Sequence, residues 1–155
     1  MKPEVAKQLQ ALLDSREKQK QADTTRVSEQ QKAEAQNLAD FAAMKNEVIK
    51  PAFREIVDLY QAKGITLHIV EQDESPNDRG GIQAPNIRLD MAGVYPSVRD
   101  MKPEFKLTFD KRKRSLSLYT STQSQAGPVG DVSLDAATAD WIQSAFLKHE
   151  SGSPR

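Results

Sequence analysis

The 155 residues include 37% hydrophobic side chains and have a mean hydropathy of −0.66, enough for one modest core and little more. With 22 Lys+Arg against 22 Asp+Glu there is no net charge to draw the whole chain to nucleic acid or an anionic membrane. The absence of cysteine excludes disulfides, thiolate chemistry and Cys-ligated zinc.

The first 36 residues carry most of the polarity. Val5, Leu9, Leu12 and Leu13 form one apolar cluster at helical spacing, but the seam then runs onto Arg16, Gln19, Asp23 and Arg26. A coiled coil needs apolar positions over three or more heptads, so this segment reads as a polar, helical or partly disordered extension, with Thr24-Thr25 as its expected break. Val5, Leu9 and Leu12 are the candidate docking face, in the helix-in-groove manner. The N-terminus MKPEVAKQLQ has no apolar signal core and no run reaches membrane-spanning length, so a soluble, cytoplasmic protein with no membrane partner is expected.

Residues 38–63 are the organising helix. Leu38, Phe41, Val48, Ile49, Ala52, Ile56, Leu59 and Tyr60 recur at three- and four-residue steps, and Phe53 and Val57 widen that face enough for a sheet. Pro51 predicts a kink near Val48, because it removes a backbone donor and crowds the preceding turn. Gly64 supplies the stop.

Alternation predicts four strands. Ile65, Leu67 and Ile69 face inward opposite Thr66 and His68; Ile87, Leu89 and Met91 opposite Arg88 and Asp90. Phe105, Leu107 and Phe109 lie opposite Lys106 and Thr108; Leu116 and Leu118 opposite Ser115, Ser117 and Tyr119. The connections, residues 71–86, 92–103 and the DKRKR turn, are loops too short for crossover helices, which predicts an antiparallel meander. QSQAGPVGD reads as a further loop. A final helix, capped by Ser133 or Asp135, carries Ala137, Trp141, Ile142, Ala145 and Phe146 as its apolar stripe.

The expected fold is therefore α+β: a long N-terminal helical segment, a four-stranded antiparallel meander and a C-terminal helix, with the helices on one sheet face. The expected division is 1–36 extension, 37–150 globular domain and 151–155 frayed tail.

Chemistry is sparse. The two histidines, His68 on the outer sheet face and His149 near the C-terminal end, have no partner at metal-ligand spacing. No serine sits in a nucleophile elbow, the glycines match neither phosphate-loop nor dinucleotide spacing, and QDESPNDRGG is mis-spaced for calcium. No catalytic, cofactor-binding or metal residue is therefore assigned, and no cofactor is expected. Two surfaces remain as candidates. One is the outer sheet face, with His68, Arg88, Lys106 and Tyr119. The other is the basic turn Lys111, Arg112, Lys113 and Arg114, which could meet phosphates though it lacks a set of aromatic platforms. The expected function is a non-enzymatic protein-interaction or self-association module. The alternatives are binding of nucleic acid or another anionic partner through residues 111–114, or an enzyme with a carboxylate/Tyr site.

Overall fold

A computed structural model describes residues 2–94, 103–121 and 126–151. The chain divides into two compact units, Met1–Gln36 and Asn37–Arg155. Helix α1 is Pro3–Met44.

Within the first unit the helix runs through Thr24 and Thr25 without the expected break. The Thr24 hydroxyl donates to the Lys20 carbonyl at 2.9 Å, so the helix itself satisfies the group that would compete with it. Side chains four apart add support: Gln10 donates to Asp14, Gln19 to Asp23 and Gln30 to Glu34. Propensity and local pairs hold this segment.

In the second unit, tertiary packing takes over. Phe41 is buried and stacks on Phe109 with ring centroids 4.7 Å apart. A π-helical turn, Lys45–Ile49, precedes α2 (Lys50–Gln61), with Pro51 in the first turn of α2. The wider turn accommodates a proline that cannot donate and whose ring crowds the carbonyl four residues back. Here is the irregularity expected near Val48. Helix α2 buries Ala52, Phe53 and Ile56, and Gly64, at φ 79°, reverses the chain after it.

Among the described residues the main sheet has five antiparallel strands rather than four. They are β1 (His68–Gln72), β4 (Asn86–Asp90), β5 (Glu104–Asp110), β6 (Ser115–Ser121) and β7 (Ala126–Ser133), in that spatial order. A small hairpin, β2 (Ser75–Pro76) with β3 (Ile82–Gln83), forms inside the expected 71–86 loop, its turn fastened by Asn77 Oδ1 accepting from the amides of Arg79 and Gly81. The first strand starts at His68, not Ile65. The Gly64 reversal and the close approach of Gly93 to the Thr66 carbonyl take up the preceding residues, although Leu67 is still buried.

Strand β7 occupies the described part of the stretch read as a loop; residues 123–125 of that stretch lie outside the described residues. Its Pro128 and two glycines hide the strand pattern, yet an edge strand tolerates a residue that cannot donate. The register steps from Leu118 opposite Gly130 to Tyr119 opposite Pro128, which makes Val129 the extra residue of a bulge.

The last helix, α3 (Ala139–Glu150), is capped by Thr138, whose hydroxyl accepts from the Trp141 amide at 3.2 Å, and not by Ser133 or Asp135. Leu134–Ala136 form a single 3-10 turn, and Ala137 is buried just outside the helix. Both α2 and α3 pack on the inward sheet face. Phe105 meets Phe53 and Phe146 edge to face, and the Tyr60 hydroxyl donates to Glu150 at 2.8 Å, tying the two helices together. The architecture is a two-layer α+β sandwich. No helix, among the described residues, is long and apolar enough to cross a membrane.

Candidate functional site

The outer sheet face brings three of its four expected residues together. Arg88, Lys106 and Tyr119 lie in one cross-strand row, while His68 stands opposite Asp90 in the next. The row is compensated locally: Lys106 Nζ sits 5.0 Å over the Tyr119 ring, and Lys106 and Arg88 each approach Glu104, in the neighbouring row, at 3.6 Å. Its charges are largely spent on one another.

The basic turn separates into two pairs. Lys111 reaches Glu74 at 3.1 Å, and the Lys111 carbonyl accepts from Asn37. Arg114, at φ 52°, donates to Asp40, Asp135 and Asn37. The hydrogen bonds to Asp135 and Asp40 raise its pKa further above the ordinary guanidinium value. This fork fastens the β5–β6 turn to the C-terminal turns of α1 and to the connection after β7. Arg112 and Lys113 have exposed side chains, and their amides donate to Asp110. Lys111 and Arg114 therefore have a structural task.

A cationic pair that the sequence did not single out lies on the helical layer. Lys45, buried beside Phe41, and Lys50 reach Glu71 at 3.2 and 2.7 Å, and Lys45 also reaches Asp73 at 3.8 Å. Burial pushes the Glu71 carboxyl up, but hydrogen bonds and charge from Lys50 and Lys45 outweigh it and leave its pKa below 4.5. Glu71 points inward at the end of β1, an edge strand, so this cluster closes that side of the core.

The opposite side is open. A cavity of about 250 Å³ separates β7 from α3. It follows from the side chains that are missing. The bulge at Val129 puts Gly127, Gly130 and Val132 opposite Thr120, Leu118 and Leu116, so two of the three inward positions of β7 carry no side chain. Across from Gly130, α3 presents Trp141, Ser144, Ala145, Lys148 and His149, spaced i, i+3, i+4, i+7 and i+8 on one helical face, with small residues in the middle. Leu118, Trp141 and Ala145 supply apolar wall. Thr120 is 1% exposed, and its hydroxyl has no hydrogen-bond partner among the described residues.

His149, near the C-terminal end of the described residues, is part of the core. Its ring is buried 6.0 Å from Phe105 and 6.3 Å from Phe146. The spacing of Ile142, Phe146 and His149, at i, i+4 and i+7, is the pattern that marks it as a core-facing residue.

The candidate docking helix keeps its apolar side chains in solvent. Val5, Leu9, Leu12 and Leu13 are 43%, 43%, 46% and 57% exposed, and Val27, five turns beyond Leu9 on the same face, is 50% exposed. Comparison of the chain with protein-family models, curated proteins and solved structures found no match.

Proposed function

We propose that this chain is a non-enzymatic self-association module, and that its assembly surface is the apolar face within residues 3–36. The observation that carries this reading is the exposure of Val5, Leu9, Leu12 and Leu13 at i, i+4, i+7 and i+8 on a helix otherwise held by propensity. Burying such a face against a second helix is the ordinary way to stabilise one that has no core of its own.

The occupant that fits best is a second copy of the same helix. Residues 3–36 hold six Lys/Arg and six Asp/Glu, interspersed, so two copies meet without net repulsion. The apolar seam is short, which makes the association concentration-dependent rather than obligate. An anionic partner at the basic turn has less support, because Lys111 and Arg114 face carboxylates already. A cytoplasmic setting agrees with the cysteine-free sequence.

Sedimentation equilibrium of the full chain and of its Leu9→Asp/Leu12→Asp variant tests the reading. Wild-type chain that associates with rising concentration, and a variant that stays monomeric, is the expected pair of results. A wild-type monomer throughout, or assembly unchanged in the variant, would overturn it.

A further inference from the structure

The cavity between β7 and α3 has the construction of a small-ligand site, independent of the association proposed for residues 3–36. Its volume, about 250 Å³, exceeds the roughly 150 Å³ that holds benzene in an apolar protein interior. One aromatic ring with a short arm is therefore the right scale. The walls are mixed in the way ligand sites are: an apolar body from Leu118, Trp141 and Ala145, with a few polar groups converging on it.

Those polar groups are mainly donors. The Thr120 hydroxyl oxygen is fully buried and unpartnered among the described residues, so it meets an acceptor in the cavity when its side chain turns toward that space. Lys148, an exposed residue, lines the same space from α3. Asp131 also lines the cavity, but its carboxylate is held by the Ser117 hydroxyl at 2.8 Å, and Ser117 lies on the outer row of the sheet. A hydroxyl and an ammonium beside an aromatic wall favour a ligand that combines an apolar body with an anionic acceptor. Gly130 lines the cavity, and a Cβ there, as at Gly127 farther along the strand, would meet nothing: no heavy atom lies within 4 Å of the place it would occupy. Side chains there would fit sterically, so backbone crowding is not what calls for glycine at these positions.

We propose that the cavity between β7 and α3 binds a small monocarboxylate whose apolar body is about the size of one aromatic ring, its carboxylate taken by Lys148 and Thr120.

Trp141 is the one tryptophan of the chain and lines the cavity, so its fluorescence reports occupancy directly. The full chain is titrated with 3-phenylpropionate, and in parallel with 3-phenylpropanol and 3-phenylpropylamine. The expected result is a saturable change in Trp141 emission, tightest for the carboxylate. Gly130→Val should fill the cavity from the strand side and weaken binding about tenfold or more. Ala145→Leu should do the same from the helix side. It serves if a melting curve shows that Gly130→Val has not folded. Lys148→Gln should weaken the carboxylate about fivefold while leaving 3-phenylpropanol unchanged. Three results would overturn the proposal: no saturable change for the carboxylate; binding undiminished in folded Gly130→Val and Ala145→Leu; or alcohol and amine binding as tightly as the acid.

Discussion

Helix α2 and residues 3–36 are both helical, and they are stabilised in opposite ways. In α2 the apolar positions Ala52, Phe53 and Ile56 are buried under a sheet, and the helix tolerates Pro51 at the edge of a π-helical turn because packing holds it. In residues 3–36 comparable side chains, Leu9 and Leu12 among them, stay in solvent, and local hydrogen bonds and good helix formers support the backbone. Helical spacing alone thus does not say whether a face is already satisfied. A face that is unsatisfied is a place for a partner.

The sharpest way to break this contrast is to charge the satisfied face. Ile56→Asp would place an unpaired carboxylate at a site only 5% exposed, and loss of about 4 kcal/mol or more should abolish cooperative unfolding in a denaturant titration. The same change at Leu9, in solvent, should leave the melting of the globular unit unaltered. Next in size is Gly93→Ala, where a Cβ would lie 2.4 Å from the Thr66 carbonyl oxygen, a backbone atom with little room to move. About 2 kcal/mol of destabilisation is expected, read from the urea midpoint.

A smaller effect probes the charged side of the core. The Glu71 pKa is lowered in the folded state from 4.5, so its contribution is present above that value and is lost as pH falls through the folded value. Glu71→Gln should cost about 1 kcal/mol at neutral pH and flatten the acid limb of a melting-temperature profile below 4.5. An unchanged acid limb would mean that Lys45 and Lys50 do not hold this carboxylate. The smallest effect belongs to the other region: a chain beginning at Asn37 should keep cooperative thermal unfolding, because Phe41, Phe53 and the sheet supply its core.

How much of this was legible in the sequence depends on whether a feature is made by side chains or by their absence. Strand β5 alternates Phe105, Leu107 and Phe109 with polar residues over its whole length, and α2 repeats its apolar residues every turn, so both announce themselves. Strand β7 has the composition of a loop, since Gly127, Pro128 and Gly130 erase any alternation. Only pairing with β6 makes it a strand. The cavity beside it was illegible for the same reason: Gly130 and Ser144 carry no apolar signal, and the buried Thr120 follows Leu118 at the spacing of any sheet residue. The outer row of Arg88, Lys106 and Tyr119 could be foreseen from register, but Glu104 as its shared counter-charge could not. Likewise Arg114 was visible as a cation, whereas Asp40 and Asp135, 74 and 21 residues away in the chain, were not visible as its partners.

The most direct test of the central claim is molar mass by light scattering during size-exclusion chromatography, on the full chain and on a chain beginning at Asn37, over a range of loading concentrations. Self-association through residues 3–36 predicts a full-chain mass that rises with concentration above the 17.3 kDa of one copy, while the shorter chain remains a monomer. A full chain fixed at 17.3 kDa, or a shorter chain that assembles as well as the full one, would contradict it.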